Sequence, residues 1–299
     1  ARRDAPAVAC RARAVRQVVW ASAQTMQPQP SLPFAWLDQP AVGERVDALE
    51  RSALLRPEQA AACRFFARHG YWVVKGLVPE SLTARAAAVP HVVLAGLRAA
   101  PRERQIRALQ DCFRDHACLR EVMVHAPLLA WCDLMLGARA LPYQTLSLPE
   151  SSQQDAHSDE ILMSSEPRGG MIAAWVALED VQADAGPLQV WPGSHRWDYV
   201  SAASLGIDPS ADEAERSRLF DARYYEVIRA AVERRRAVGE PMLLRRGDVL
   251  LWHQGLVHGA RPIERAGATR NSLIIHYFAE GARHFSDVWG RACTLPGLR

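Results

Sequence analysis

The chain has 299 residues, 49% of them hydrophobic, which is enough for a sizeable core in one large domain or two small ones. Its formal net charge of +3 is too small to indicate binding to nucleic acid. No apolar run reaches the roughly 18 residues of a membrane span, and the six cysteines form no Cys-x-x-Cys pair. We therefore expect a cytoplasmic protein with reduced cysteines, no membrane span and no nucleic-acid partner.

The first 40 residues predict an irregular arm. The prolines between Gln27 and Pro33 remove hydrogen-bond donors and fix φ, which excludes a regular helix. The arm has no apolar segment of the secretory type, so we expect no secretion signal in it. We expect it to pack on the body of the protein through three apolar side chains, Phe34, Trp36 and Leu37.

Helical periodicity dominates residues 55–140. The segment Leu55–His69 has apolar residues at helical spacing, with Pro57 in its first turn and Gly70 after its end. The β-rich segment Tyr71–Gly76 predicts a strand. Residues 80–140 are predicted to be mostly helical, with breaks at three prolines, Pro90, Pro101 and Pro127.

From residue 141 the pattern changes to short apolar segments separated by turn residues. The predicted strands are Leu141–Leu148, Met171–Leu178, Leu188–Trp191, Pro241–Leu244, Val249–Trp252 and Ser272–Phe278. Many short strands indicate a sandwich or a jelly roll. We predict a mainly β protein with α-helices, in a single domain of residues 1–299. Its core over residues 141–280 is a double-stranded β-helix of the jelly-roll or cupin type, flanked by N-terminal helices.

A charged insertion at about residues 196–240 interrupts the predicted strands. Its charge run is typical of a solvated helix. Insertions between strands also often carry the residues that select a substrate. Two interpretations stay open: an exposed helix, or a lid whose arginines or tyrosines contact the substrate, among them Tyr224 and Tyr225.

His157 and Asp159 stand two residues apart and predict part of a metal site. In a strand their side chains point to the same face, while Ser158 points away. A distant strand has to bring the third ligand, and His253 and His258 are the two candidates. Two histidines and one carboxylate suit non-haem Fe(II) and leave positions open for a co-substrate and oxygen.

The order of several motifs carries more information than the His-x-Asp pair alone. In sequence order they are His157-x-Asp159, Gly247-Asp248, His258-Gly259 and Arg270. Three further pieces lie between them, AWVALED at 174–180, GPLQV at 186–190 and WPGSH at 191–195. In these motifs, from about Leu55 to Ala279, the sequence resembles the phytanoyl-CoA dioxygenase family of Fe(II)- and 2-oxoglutarate-dependent oxygenases.

The resemblance implies a role for each motif residue. His157, Asp159 and His258 are the expected iron ligands, since His258 precedes a glycine as the distal ligand of the family does. Arg270 is expected to bind the far carboxylate of 2-oxoglutarate, because a guanidinium forms a bidentate, always charged clamp. Ser272 shares its face and is expected to add a hydrogen bond.

Four other residues have weaker predictions. Gln144, on the strand before the metal motif, is a further candidate for a contact with 2-oxoglutarate. Trp175 is predicted either to line this pocket or to pack in the core. His195 is predicted to order a turn. His276 shares the face of Ser272 in a regular strand, and no role is assigned to it.

The resemblance implies a non-haem iron dioxygenase that acts on a small molecule, and we expect a role in secondary metabolism. It consumes O2 and 2-oxoglutarate and releases succinate and CO2 while it hydroxylates, or otherwise oxidises, an unactivated C–H bond. Related halogenases have a small residue in place of the carboxylate, so Asp159 indicates oxygenation. Two alternatives stay open on the same fold: a non-catalytic cupin-like binding module and a zinc-type hydrolase. The sequence selects neither a substrate nor an oligomeric state.

Overall fold

A computed structural model describes residues 8–9, 32–98 and 108–298 of the chain. Its helices are α1 (Val42–Arg51), α2 (Pro57–His69), α3 (Glu80–Arg98), α4 (Ala117–Met123), α5 (Ala126–Leu136) and α6 (Glu213–Arg235). Its strands are β1 (Val8–Ala9), β2 (Tyr71–Val74), β3 (Leu109–Gln110), β4 (Ala140–Leu148), β5 (Ser164–Glu166), β6 (Met171–Ala177), β7 (Leu188–Val190), β8 (Glu240–Pro241), β9 (Val249–His253), β10 (His258–Ala260), β11 (Ser272–Ala279), β12 (Arg283–Ser286) and β13 (Arg291–Ala292). In these parts of the chain, no helix combines the length and the apolar character that crossing a bilayer requires.

Within the described residues, the strands form one large sheet and two small ones. The main sheet has the order β1-β3-β4-β11-β6-β9-β2, and the small sheets have the orders β10-β7-β8 and β13-β12-β5. Neighbouring strands are antiparallel except β1 and β3. The late strand β11 lies between β4 and β6, so strands that are distant in sequence meet in the centre of the main sheet.

The central strands β6 and β9 of the main sheet are buried on both faces, which explains why they read as continuous apolar runs. In β6, Ile172 and Val176 belong to the core that the sheet forms with the helices. The alternate residues Ala173 and Trp175 belong to a second cluster, between the main sheet and β7. Alternate residues along a strand therefore face either the helices or the space between the main sheet and β7. We call this space the barrel interior, and the second cluster the interior cluster.

The two ends of α2 place the neighbouring strand β2. Pro57 stands in the first turn, where its missing N–H breaks no helical hydrogen bond. Gly70 ends the helix with a φ of 81°, in the left-handed region that favours glycine. A Cβ at this position would also lie 2.5 Å from His195 Nδ1, so the turn has no space for a larger residue.

The predicted helix break at Pro90 is wrong, because α3 continues through this residue. Pro90 removes one helical hydrogen bond. Asn271 Nδ2 donates to the Ala87 carbonyl, 2.8 Å away, in the turn before Pro90. The helix also buries Leu82, Ala86 and Val89 in the core before the proline, and Val93 and Leu94 pack against the core after it. Tertiary contacts therefore outweigh the local effect of the proline.

Two other predictions about the helical region have different outcomes. The break at Pro127 is confirmed, since this residue lies in the first turn of α5, just after α4 ends. Pro101 lies outside the described residues. The arm is described only at β1 and from residue 32 onward, where Trp36 and Leu37 are buried as expected and Phe34 packs against the core.

The strand predicted at Pro241–Leu244 is wrong in extent. The strand β8 covers only Glu240–Pro241. Met242 and Leu244 follow it in irregular structure, yet both are buried in the interior cluster. A loop that buries every second residue has the same alternating apolar pattern as a strand, so the sequence does not distinguish the two.

The charged insertion contains α6, which has one buried face. Asp212 caps the helix, since its side chain accepts a hydrogen bond from Glu215 N at 2.8 Å. Its buried residues recur every four positions and are Phe220, Tyr224 and Ile228. They form one cluster with Ile161, in the turn that follows Asp159. The helix is therefore not wholly solvated, although its charged residues remain at the surface.

Candidate metal centre

The backbone holds the turn that carries His157 against β10. His157 N donates to His258 O and His258 N donates to His157 O, both at 2.8 Å, in an isolated antiparallel bridge. Residues directly opposite each other in such a pair project to the same side, and the two imidazole ring centres are 4.3 Å apart. Main-chain hydrogen bonds therefore bring together two histidines that are distant in sequence.

Neighbouring carbonyl groups fix the tautomer of each histidine. His157 Nδ1 lies 2.8 Å from Asp155 O, and His258 Nδ1 lies 3.0 Å from Leu256 O. Because a carbonyl oxygen only accepts, each Nδ1 carries the proton and the lone pair is on Nε2. The Nε2 atoms lie 4.0 Å (His157) and 3.7 Å (His258) from Asp159 Oδ1.

The three side chains of His157, Asp159 and His258 have the spacing of metal ligands. Their ligand atoms lie within 4.8 Å of one another, and all three residues are buried. Two imidazole nitrogens and one carboxylate oxygen are the donor set of many non-haem Fe(II) sites. The predicted residues are therefore brought together in an arrangement that fits this ion.

Asp159 is held by two side chains to which the sequence analysis assigned no role. Trp252 Nε1 donates to Asp159 Oδ2 at 2.8 Å. His276 Nδ1 accepts from Gln144 Nε2 at 3.2 Å, which leaves the ring proton on His276 Nε2, 3.7 Å from the same carboxylate oxygen. Burial alone would raise the pKa of Asp159, but the nearby histidines hold this pKa below its usual range, namely His258, His276 and His157.

Strand geometry is the signal that would have found Trp252 and His276. Trp252 belongs to the interior cluster, and His276 pairs with Ala173, another member of the interior face. Both therefore project into the barrel, as the two-residue repeat of their strands requires. No motif marks them, because their distance from Asp159 depends on how β9, β6 and β11 are aligned.

His253, the competing candidate for the third ligand, has both ring nitrogens engaged elsewhere. Gly255 N donates to His253 Nδ1 at 3.0 Å, and His253 Nε2 lies 3.2 Å from Asp38 Oδ2. The structure therefore brings His258, and not His253, to the pair. His195 is buried beside Gly70 and lies outside the cluster, consistent with the predicted structural role.

Arg270 is a buried cation inside the barrel. It is 1% exposed, and its Nη1 donates to Gly186 O at 3.1 Å. Its Cζ lies 5.6 Å from the ring centre of Trp175, and its Nε has no hydrogen-bond partner. Burial lowers the pKa of Arg270 to about 10. No carboxylate of the described residues contributes to this pKa, so the charge lacks an anionic partner in this part of the chain.

The other predicted 2-oxoglutarate contacts divide between two places. Ser272 Oγ and Trp175 Nε1 are buried without hydrogen-bond partners, and Ser272 follows Arg270 by two residues. Trp175 packs in the interior cluster, which is one of its two predicted alternatives, and the Arg270 guanidinium lies over its ring. Gln144 lies instead beside His276, near the metal centre.

Solvent reaches the barrel interior along β4 and β11. Gln144, Leu146 and Ile274 are half-buried there. Their strand neighbours Thr145 and Ile275, which face the helices, are fully buried. The accessible interior therefore lies between the metal centre and the buried arginine.

A comparison with known families decides what kind of protein has this interior. The sequence model of phytanoyl-CoA dioxygenase (PhyH) matches residues 66–271, more than half of the chain. The chain belongs to the phytanoyl-CoA dioxygenase family. Membership of the PhyH family confirms the resemblance seen in the motifs, and with it the expected enzyme class, a non-haem iron, 2-oxoglutarate-dependent dioxygenase.

One related protein and two solved structures show how far the similarity extends. Human peroxisomal phytanoyl-CoA dioxygenase is 23% identical over 251 residues, which is 76% of this chain and 70% of the human protein. The non-haem α-ketoglutarate-dependent carbocyclase SnoK from nogalamycin biosynthesis has a TM-score of 0.57 at 21% identity and covers 78% of this chain and 88% of its own. EctD from S. alaskensis with bound Fe has a TM-score of 0.55 at 20% identity and covers 81% and 87%. These neighbours of the PhyH-family chain confirm the predicted jelly-roll core.

A cavity of about 290 Å³ lies beside the turn that carries His157 and Asp159 in this PhyH-family protein. Ser158, Glu160 and Val257 line it on one side, and Val227 and Ile228 of α6 line it on another. The insertion helix is therefore one wall of a cavity next to the candidate metal centre.

Proposed function

We propose that His157, Asp159 and His258 bind Fe(II) in this dioxygenase and that Arg270 binds the far carboxylate of 2-oxoglutarate. The observation that carries the proposal is the buried charge of Arg270, which has no anionic partner in the described residues. A buried charge is costly unless it is paired. A dicarboxylate that reaches from the metal centre to Arg270 would supply the missing partner.

The residues at the metal centre fit Fe(II). The two histidines present Nε2, and Asp159 presents an anionic oxygen, which leaves open positions for a bidentate co-substrate and oxygen. A zinc hydrolase could use the same three ligands, but it would have no use for a buried arginine in the barrel. Arg270 therefore favours the oxygenase over this alternative.

The residues around Arg270 fit 2-oxoglutarate. The hydroxyl of Ser272 and the indole N–H of Trp175 are buried without partners, and both can donate to a carboxylate. The Arg270 guanidinium lies over Trp175 at one end of the interior. Trp175 pairs with Ile274 of β11, and His276, at the metal end, lies two residues further along the same strand. Two residues correspond to about 7 Å along a strand, a distance that suits a short dicarboxylate.

When bound, iron and 2-oxoglutarate would activate O2, which is the oxidant: 2-oxoglutarate would be oxidised to succinate and CO2 with one oxygen atom, and the other would hydroxylate a C–H bond of the substrate. The chain's own residues bind and orient. Trp252 and His276 hold Asp159 by Oδ2, so that Oδ1 faces the two histidines. Fully buried apolar residues of the interior, Ala173 and Val190 among them, limit the water inside it.

We propose a small-molecule substrate that binds in the accessible interior, beside the inward-facing residues Leu146 of β4 and Ile274 of β11. The human relative is named for phytanoyl-CoA and SnoK belongs to nogalamycin biosynthesis, so the related proteins named here act on small molecules. We further propose a cytoplasmic location without a nucleic-acid partner. Support for the location comes from the five described cysteines, none of which forms a disulfide within the described residues.

An anaerobic titration tests the proposal. Metal-free protein receives Fe(II) first and 2-oxoglutarate second, and the visible spectrum is recorded after each addition. A charge-transfer band that requires both additions is the expected result. Iron binding without this band would show that the co-substrate is a different molecule. Absence of iron binding would show that the three residues are not a metal site.

A further inference from the structure

The hydroxyl of Tyr224 makes three hydrogen bonds to one residue of the metal-binding turn. It accepts from Ser158 N at 2.8 Å and donates to Ser158 O at 2.9 Å. Ser158 Oγ lies 3.0 Å away and, because the phenol proton is already engaged, this serine hydroxyl is the donor in the third bond. A single phenol on α6 therefore satisfies every polar group of Ser158.

Ser158 stands between His157 and Asp159, where the chain leaves its pairing with β10. The bridge to His258 fixes the backbone of His157, and no strand continues the pairing at Ser158. Among the described residues, Tyr224 is the hydrogen-bond partner of both the N–H and the carbonyl of Ser158. Ser158 is partly buried and has no strand beside it, so the phenol supplies the hydrogen bonds that a neighbouring strand would make.

Tyr224 is itself held firmly. It is 1% exposed, and its ring stacks on Phe220 with ring centres 4.8 Å apart. Burial raises the pKa of Tyr224, although its hydrogen bonds to Ser158 act in the opposite direction. The phenol therefore remains protonated and continues to donate at any ordinary pH.

We propose that Tyr224 is a positioning residue that fixes the backbone between two ligands of the metal. This inference rests on the proposed iron site. Trp252 and His276 hold the side chain of Asp159, whereas Tyr224 holds the main chain from which the His157 and Asp159 side chains project. The support comes from the charged insertion, so the helix outside the barrel takes part in shaping the metal centre.

The variant Tyr224→Phe tests this role, because it keeps the buried ring and removes only the hydroxyl. Loss of a residue that orients a metal ligand typically weakens metal binding by about 10- to 100-fold. We expect the dissociation constant for Co(II), measured in metal-free protein, to rise by that factor. The visible spectrum of the cobalt-loaded variant should also differ from that of the wild type, because the ligands are less constrained. Neither readout depends on catalysis.

Two further variants serve as comparisons. Tyr225→Phe removes a hydroxyl from the next residue of the same helix, whose ring packs against Phe220 and Tyr224, and we expect wild-type cobalt affinity. Ser158→Ala keeps the two main-chain bonds to Tyr224 and should lose less affinity than Tyr224→Phe. Equal losses in Ser158→Ala and Tyr224→Phe would overturn the main-chain role.

The failure of this inference is distinguishable from failure of the iron site. If the wild type binds no Co(II) or Fe(II), the metal site is wrong; if it binds and Tyr224→Phe binds equally well, only the inference about Tyr224 is wrong. If Tyr224→Phe does not fold, hydrogen exchange in the wild type decides. The Ser158 amide should then be protected in the metal-free protein, and exchange at the rate of an unbonded amide overturns the inference.

Discussion

The two ends of the barrel interior differ in how completely their polar groups are paired. At the metal end, the ligands and their supports have hydrogen-bond partners within the chain, including His157, Ser158, Asp159, His258 and His276. At the arginine end, three buried polar atoms lack partners, and they belong to Arg270, Ser272 and Trp175. One end is therefore prepared before its ligand arrives, and the other has hydrogen-bonding capacity left for one.

This difference separates two ways in which a protein prepares a site. A metal ligand has to be held in one orientation, which requires protein partners for the atoms that do not touch the metal. A co-substrate that is consumed in each turnover brings its own hydrogen-bond acceptors. The protein groups that receive it remain unpaired until it binds, at a cost in stability that binding removes.

The largest expected effect is at the metal end. Asp159→Ala removes a proposed ligand, and losing a ligand should cost more than the 10- to 100-fold loss that is typical of its supports. We expect turnover below about 1% of the wild type and weaker iron binding, measured by succinate release and by metal titration. The exposed carboxylate variant Asp184→Ala is the control and should behave as the wild type. Full activity of Asp159→Ala would contradict the assignment.

At the arginine end, Arg270→Met should weaken the binding of 2-oxoglutarate and stabilise the ligand-free protein. Arg270→Met removes the partner of the 2-oxoglutarate carboxylate, a loss of about 2–4 kcal/mol or roughly 30- to 1000-fold in the 2-oxoglutarate requirement. The same change removes an unpaired buried charge, so the ligand-free variant should unfold at a higher denaturant concentration than the wild type. Arg265→Met, which breaks an exposed ion pair, is the control. An unchanged 2-oxoglutarate requirement would place the clamp elsewhere.

A pair of tryptophan variants compares the two ends directly. Trp252→Phe deletes the donor to Asp159 Oδ2 and should weaken metal binding by about 10- to 100-fold. Trp175→Phe deletes an N–H that has no partner in the ligand-free protein, so its metal affinity should stay at the wild-type value. Metal titration of both variants by calorimetry is the measurement. Equal losses would show that the two ends are not distinct.

The smallest effect concerns His195, whose Nδ1 is buried without a hydrogen-bond partner next to Gly70. Burial lowers the pKa of His195 to about 3. Between this value and the ordinary pKa of about 6.5, the unfolded chain binds a proton that the folded chain does not, so stability falls as the pH decreases. His195→Gln should remove about 1 kcal/mol of the decrease in unfolding free energy between pH 7 and pH 5.5. Denaturant unfolding at the two pH values is the measurement, with His116→Gln as the control.

Part of this site could be predicted from the sequence because it depends on local spacing. The two-residue spacing of His157 and Asp159 marked the pair, although the structure places it in a turn with a single bridge at His157 and not in the predicted strand. The order of the later motifs led to Arg270. The choice of His258 over His253 depended on the resemblance, and the structure supplies the physical reason, since Asp38 and Gly255 engage both nitrogens of His253.

The remaining features depend on contacts between distant segments. Trp252 and His276 reach Asp159 only because β9 and β11 lie on either side of β6 in a particular alignment. The helix through Pro90 depends on core packing and on a hydrogen bond from Asn271. Spacing within one segment predicts which face a residue occupies, but it does not predict which residue of another strand lies opposite.

The attachment of α6 to Ser158 has a consequence for how this protein can be altered by evolution or by engineering. An insertion between strands is the usual segment to exchange when a new specificity is sought. Here the exchanged segment would also remove the phenol that supports the ligand-bearing backbone. A chimera with a foreign insertion would therefore need a hydroxyl at the same point in space, and enzymes of this design should change their insertion helix and their metal turn together.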